Sequence, residues 1–472
     1  MADTQNKPRA DVASTDALRD EEGAIRASLV ETVAAAIAAD DGERVRKLAA
    51  DLHEADLGDL IEALDADDRP RLIELMGRDF DFAALTEVDD SVREEILDEL
   101  PPETVAEGVR ELETDVAVEL LEDLPPEEQA EILDKMPAVE RVALRRSLDY
   151  PEDSAGRLMQ TTLVTAPPMW TVGQMIDHLS ETPEDDLPDS FFEIFVVDPG
   201  HRLLGNVFLD TLLKARRTTR LEDILDADRR RVPVGEDREE VARLFEHYNL
   251  VSAPVVDEAD RLVGVITIDD VVDVIQEEAE EDIKALGGVS SSEDLSDTVM
   301  WTAKSRFTWL FVNLITAFVA SSVLGMFEGE LQKMVALAVL VPIVASQGGN
   351  AATQTMTVAV RALATRELFS GNLQRVITRE VVVGLLNGAA FGVMTALVAG
   401  AWYQSAGIGI VICLAMLTNL VAGALGGILI PVTLDRFGFD PAVSSGAFVT
   451  TVTDVVGNFA FLGIATLWFG LA

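Results

Sequence analysis

Cysteine, histidine and basic side chains are all scarce in this chain of 472 residues, and each shortage removes a class of function. The single cysteine, Cys413, can close no intrachain disulfide and offers no thiolate cluster to a metal. Four histidines, His53, His178, His201 and His247, are too scattered for a zinc site. Lys and Arg number 37 against 83 Asp and Glu, a net charge of −46, which is the wrong sign for a nucleic-acid partner. The opening residues, MADTQNKPRADVAST, lack the apolar run of a secretory signal, so the N-terminal region is expected in the cytoplasm. Nothing pairs a nucleophile with a base, and no glycine loop would cradle a hydrolysable phosphate. The chain therefore reads as a non-enzyme.

What is present divides sharply. Residues 301–472 carry eight basic and seven acidic side chains, which leaves 29 basic and 76 acidic in residues 1–300. The first part is an acidic soluble region, suited to binding cations or to a salty cytoplasm. The second is apolar and nearly uncharged.

Within the acidic part, residues 53–148 repeat every twelve positions, with segments closing at Leu64, Met76, Val88, Leu100, Leu112, Leu124, Met136 and Leu148. Several open on proline and glutamate, as in PPETVAEGVREL and PPEEQAEILDKM. Proline suits a first helical position, and the acid suits the positive end of the helix dipole. Each unit predicts one short amphipathic helix, and a stack of them predicts an α-superhelix. Past YPEDSAGRLM, two β-rich units match at a spacing of 59 residues, FVVDPGHRLLGNVFLD (195–210) on PVVDEADRLVGVITID (254–269). They resemble a tandem pair of CBS domains, α/β modules that associate pairwise. In the second, Thr267 and Asp270 fit the nucleotide-binding pattern of such modules, which makes ATP an implied ligand. The first unit lacks that threonine.

An acidic helix follows over IDDVVDVIQEEAEEDIKALGG (268–288), and another amphipathic helix is expected from about residue 297. Five segments are then long enough to span a bilayer, at about 307–327, 334–360, 381–403, 407–434 and 445–470. Arg361, Arg366, Arg375 and Arg379 bracket the second connection, which puts it, with the N-terminus, on the cytoplasmic side of a cell membrane and the C-terminus outside.

Polar residues in these spans carry the chemistry. Gln347, Asn350, Gln354 and Thr357 share one helical face. Gly384, Gly388 and Gly392 have the spacing of close helix packing. Asn419, Gly423 and Gly427 share a face of the fourth span, and Thr450, Asp454, Gly457 and Phe461 a face of the fifth. Asp454 is the costly one, because a carboxylate at bilayer depth carries a penalty of about 2.5–3.5 kcal/mol on insertion scales. Every basic residue near the spans sits at an end of one, so the carboxylate either holds a proton or meets a cation from solution. Amide and hydroxyl oxygens around one carboxylate suit a hard cation that keeps much of its water, as Mg2+ does.

The order of these parts, with YPEDSAGRLM, EEAEEDIKALGG, QGGNAATQ, RALATREL, FGFDPAV and TVTDVVG, resembles the MgtE family of magnesium transporters and channels. The resemblance implies a homodimer with one pore on its two-fold axis, Asp454 as the pore ligand, and Asn350, Gln354, Asn419 and Thr450 as pore-lining candidates. It implies a cytoplasmic Mg2+ sensor built from Asp270, Asp273, Glu278, Glu281, Asp282 and Asp440, and a plug helix near 297–309 that closes the pore. Asp115 and Glu119 are a further candidate pair that reads better as solvated surface. The expected organisation is an unstructured tail over 1–30, a helical-repeat domain over 31–155 and CBS domains over 156–219 and 220–283. A connecting helix over 284–306 and a five-helix membrane domain over 307–472 complete it. The expected function is Mg2+ uptake closed by cytoplasmic Mg2+. The alternatives are a proton-coupled transporter with Asp454 as proton carrier, a channel for Mn2+ or Co2+, and a receptor whose CBS pair reads adenine nucleotides.

Overall fold

A helix of eight to eleven residues cannot bury its apolar stripe alone, so the twelve-residue units are stable only stacked. The computed structural model describes residues 18–20, 23–122, 124–183, 187–188, 190–227, 230–293, 298–369 and 371–471, and only the backbone of 443–445. The helices are Glu54–Ala63, Asp68–Met76, Asp90–Glu99, Pro102–Val109, Thr114–Glu122, Pro126–Lys135 and Ala138–Leu148. The closing residues Leu64, Met76, Val88, Leu100, Leu124 and Met136 are buried in one continuous core, with Leu112 and Leu148 packed on its rim. Pro102 and Pro126 stand in the first turn of their helices, as their missing N–H groups favour. Residues 77–88 depart from the expected pattern: Gly77, at φ 59°, ends the preceding helix and two 3-10 turns, Gly77–Asp79 and Phe82–Leu85, follow instead of an α-helix.

Order also begins earlier than the expected boundary at residue 30. Arg19 pairs with Asp56 and Asp59, Ile25 is buried, and the first helix of this region runs Ala27–Ala38. Residues 1–17 of the expected tail lie outside the described residues.

The 59-residue repeat is visible in the sheets down to single hydrogen-bond partners. One sheet is β1 (Thr165–Ala166), β2 (Glu193–Val197) and β3 (Leu203–Phe208); the other is β4 (Val232–Pro233), β5 (Ser252–Val256) and β6 (Leu262–Thr267). In both, the first pairing is parallel and the second antiparallel. Glu193 faces Phe208 as Ser252 faces Thr267, and each ladder shifts register at the equivalent place, Val196/Val197 and Val255/Val256. The turns match too: His201 and Asp260 both take φ 62°. The two sheets meet about an approximate two-fold, with Leu203 N–H donating to the Asp260 carbonyl at 3.3 Å and Leu262 N–H to the His201 carbonyl at 3.0 Å. Phe195, Val197, Leu203, Val256, Leu262 and Val265 fill the seam.

The chain forms two compact units, Met1–Gln276 and Glu277–Ala472, and the division falls inside the connector helix Ile268–Leu286. Among the described residues of the second unit five helices are long and apolar enough to cross a membrane: Val299–Met326, Val335–Ala364, Leu373–Trp402, Ala406–Arg436 and Gly446–Phe469, the last being part of the helix Pro441–Phe469. The helix expected as a separate plug near 297–309 is not separate. Residues from Val299 onward are the first turns of the first span, because no glycine, proline or cap interrupts the run. The helix that meets the bundle is the connector, whose Ala285 and Leu286 pack with Ala352, Met356, Val360, Ala442 and Val449.

The fourth span is the axis of the bundle, packed against the second, third and fifth. Small residues make this closeness possible. A Cβ on Gly384 would lie 3.1 Å from the Leu420 carbonyl, and one on Gly392 3.0 Å from that of Cys413, so the third-span glycines are packing residues.

In the first unit, Phe245 of helix Arg238–Tyr248 is 1% exposed at the centre of the core beneath β4–β6. Phe245→Ala should cost about 3–5 kcal/mol, read by calorimetry as a lowered first unfolding transition. Val251→Ala, at a site 39% exposed, should leave that transition within about 0.5 kcal/mol of the wild type.

Candidate cation site

The fifth span brings Thr450 and Asp454 to one face by their four-residue spacing, and that face borders a cavity of about 420 Å3. The second span adds Thr353 and Met356, and the first span adds Trp309, Asn313, Thr316 and Ala317. Leu286, Gly287 and Gly288, the end of the connector helix and its glycine stop, line the same space. Asp454 is half-buried and makes no ion pair or hydrogen bond with the described residues. The Thr450 hydroxyl donates to the Gly446 carbonyl at 2.9 Å and that of Thr316 to the Asn313 carbonyl at 2.9 Å, which leaves both oxygens free to accept from the cavity. The result is one carboxylate among neutral oxygens, a donor set suited to a hydrated hard cation and poor for an organic ligand.

Of the four pore-lining candidates, Thr450 lines the cavity and the other three do not. Asn350 and Gln354 are exposed on the second span, and Thr353 beside them faces the cavity instead. Asn419 is corrected outright: it is 0% exposed, its Nδ2 donates to the Val344 carbonyl at 2.8 Å, and its Oδ1 is buried with no partner. Cβ atoms built on Gly348 and Gly457 would come within 2.0 and 2.5 Å of that amide nitrogen. Asn419 therefore locks the second, fourth and fifth spans at one point, three residues along the chain from Asp454 on the side of Gly457. Asn313 and Thr316 were missed from sequence because each stands alone in an apolar run. The signal that finds them is the stripe Trp309, Asn313, Thr316 at steps of four and three.

The acidic residues of the connector helix fall into pairs rather than a single cluster. In the first unit Asp270 accepts from the Thr267 hydroxyl at 2.7 Å and lies near Asp115 of the helical repeat. Burial, against that hydrogen bond, carries the Asp270 carboxyl up to about 7, with Asp269 and Asp273 adding to the rise. Asp115 is 8% exposed rather than solvated, and its carboxyl is raised well above the usual range by burial and by Asp270. Glu119, its expected partner, turns to Arg93 at 3.7 Å. Glu87 is raised by burial, by Glu54 and by Asp273, and Asp273 by burial and Asp269. In the second unit Asp282 is raised by burial, then by Asp440 and Glu281, while Asp440 caps the fifth helix by accepting from Ala442 N–H at 2.7 Å. Glu278 is half-buried on the same helix. Among the described residues no three acidic or imidazole side chains are placed to hold a metal ion, as mutual repulsion of unneutralised carboxylates requires.

The nucleotide pattern finds little room. Thr267 is engaged with Asp270, and the cavity it lines with Phe191, Phe192, Glu193 and Ser252 measures about 20 Å3. That is space for about one water. Glu193 is buried there, accepting from the Ser252 hydroxyl at 2.5 Å and from the Asn206 amide.

Family profiles match three stretches: a divalent cation transporter profile over residues 341–464, an MgtE intracellular N domain over 52–153 and a CBS domain over 221–277. The chain is thus of the divalent cation transporter class, with a cytosolic helical-repeat and CBS assembly ahead of its membrane helices. It belongs to the MgtE family. It is 35% identical over 425 residues to a magnesium transporter MgtE of Enterococcus faecalis, covering 90% of this chain and 93% of the relative. It is 36% identical over 348 residues to the MgtE of Thermus thermophilus, covering 71% of this chain and 74% of the relative. A crystal structure of the soluble part of a magnesium transporter aligns with a TM-score of 0.48 at 28% identity, covering 53% of this chain and 98% of that one.

The carboxylate pairs set a pH dependence. Asp115 and Asp270 are raised above the unfolded value of about 3.9, so the folded state holds protons that the unfolded chain releases. Stability then falls as pH rises. The penalty is absent below about pH 4 and complete above about 7 for Asp270. Without divalent cations, protease resistance of residues 1–276 should drop between pH 5 and 8; Mg2+ should restore it at pH 8, and Asp270→Asn should flatten the profile.

Proposed function

We propose that this chain is a Mg2+ channel or transporter that carries Mg2+ into the cell and is closed by cytoplasmic Mg2+. The observation that carries the reading is Asp454, a carboxylate on a spanning helix with no basic partner among the described residues, facing a cavity of neutral oxygens. Mg2+ gives up its water reluctantly. A roomy site with one carboxylate per chain suits an ion that passes with its hydration shell. The exposed polar stripe of Asn350, Gln354 and Thr357 supports a second copy beside the first, since amides at bilayer depth need polar company. Two copies would set two Asp454 carboxylates around one dication on the two-fold axis.

Closure follows by linkage. The pairs Asp115–Asp270, Glu87–Asp273 and Asp282–Asp440 bring like charges together along one helix, and that helix ends at the cavity through Leu286–Gly288. A cation between the members of a pair removes the repulsion and favours the packed arrangement. An ion that binds the packed state better shifts the population toward it. The CBS pair serves as the frame for that coupling. The four arginines around the connection between the second and third spans support a cytoplasmic side for it and for the N-terminus. Lys333 donates to the Leu471 carbonyl, so the start of the second span and the end of the fifth share the opposite face.

Uptake of Mg2+ into proteoliposomes tests the reading. Asp454→Ala should lower the rate at least tenfold, about the effect of 1.4 kcal/mol in the pathway, with the protein still folded by size exclusion. Equal uptake would remove Asp454 from the pathway. Uptake that follows a proton gradient would assign the carboxylate to proton carriage, and Mn2+ or Co2+ flux exceeding that of Mg2+ would change the cargo.

A further inference from the structure

Asn313 is the polar group of the cavity that the cation reading leaves without a task. It stands near the middle of the 28-residue first span, Val299–Met326, where an uncompensated amide costs about 4–8 kcal/mol on transfer to hydrocarbon. Its side chain is exposed on the single chain and makes no hydrogen bond with the described residues, and it lines the same cavity as Asp454, Thr450 and Thr353. Its neighbours on the same stripe, Trp309 and Ala317, contribute no acceptor, and the Thr316 hydroxyl spends its proton on the Asn313 carbonyl. The amide oxygen of Asn313 is therefore the strongest uncharged side-chain acceptor the first span presents.

The room available fixes what such an acceptor can meet. Six waters occupy about 180 Å3 in the liquid, less than the cavity of about 420 Å3. By volume an ion with its shell intact has room, and the shell, not the metal, would then meet the wall. Water on a dication is a polarised donor, and an amide oxygen accepts from it well. The amide nitrogen can donate to a carboxylate when no ion is present. We propose that Asn313 is a specificity-determining residue, accepting hydrogen bonds from the retained water of the cation and so favouring ions that pass hydrated over ions that shed water to bind. The proposal rests on the assignment of Asp454 as the cation site and goes beyond it by naming the group that reads the hydration shell.

The test uses the full chain in proteoliposomes, with Mg2+ as cargo, Ca2+ as a larger and readily dehydrated competitor and hexaamminecobalt(III) as a substitution-inert mimic of the hydrated ion. Asn313→Leu keeps the volume and removes the acceptor; Asn313→Gln keeps the amide. Asn313→Leu should raise the half-saturating Mg2+ concentration about tenfold and weaken hexaamminecobalt inhibition in parallel, while Ca2+ competes better. Asn313→Gln should recover most of the loss. Unchanged half-saturation and unchanged competition in Asn313→Leu would overturn the proposal, as would an equal loss in Asn313→Gln. If Asn313→Leu fails to fold by size exclusion, Asn313→Ser and Asn313→Gln decide on the same readouts. Asp454→Ala, run alongside, separates the two readings: full uptake there defeats the cation site itself, whereas loss there with an indifferent Asn313 defeats only this inference.

Discussion

A carboxylate at bilayer depth without a counter-charge is the constraint on which the membrane half depends. Lipid cannot solvate Asp454, and no basic side chain among the described residues answers it, so the bundle must hold open a polar space beside it. The fourth span makes that possible by drawing the second, third and fifth spans tightly around itself through glycine contacts. Asn419, wedged between Gly348 and Gly457, fixes the rotation of the fifth span. The stripe that carries Thr450 and Asp454 at the cavity continues through Gly457 into Phe461, which is fully buried. One face of a single helix is thus anchor at one end and lining of the polar cavity at the other.

The acidic half applies the same electrostatics in water. Repulsion between carboxylates is tolerable while solvent separates them and costly once they are packed. Asp270 and Asp282 of the connector helix are two such sites, each within electrostatic reach of another carboxylate, Asp115 and Asp440 respectively. Protons relieve them in acid, and under the proposed closure a divalent cation would relieve them at neutral pH. Under the proposed closure by cytoplasmic Mg2+, this helix is the element on which such an ion would act. The connector helix starts directly after β6, in the second of two sheets with matched registers.

Much of this was legible in the sequence where a period existed to read. The twelve-residue phase located the buried closing residues, and the 59-residue offset located the strands and turns of both sheets. The five spans were set by apolar length alone. Where periodicity was silent, reading failed in physically definite ways. A helical face in a membrane can point to lipid, to a pore or to a neighbouring helix, and Asn419 shows all three have the same sequence signature. Asn350 and Gln354 were one helical step from the cavity that Thr353 lines. Asp115 looked solvated because its burial comes from a partner distant in sequence. The separate plug helix was misplaced because an amphipathic start, WTAKSRFTWL, runs unbroken into the first span.

The central claim is that one ion species is both cargo at Asp454 and the signal that closes its path. Currents through inside-out membrane patches containing the purified protein test it directly, with Mg2+ varied on the cytoplasmic face alone. The account predicts an open probability that falls as cytoplasmic Mg2+ rises from nominally zero into the millimolar range. The fall should shift to higher Mg2+ when Asp270 and Asp282 are both replaced by asparagine. Currents indifferent to cytoplasmic Mg2+ would contradict it.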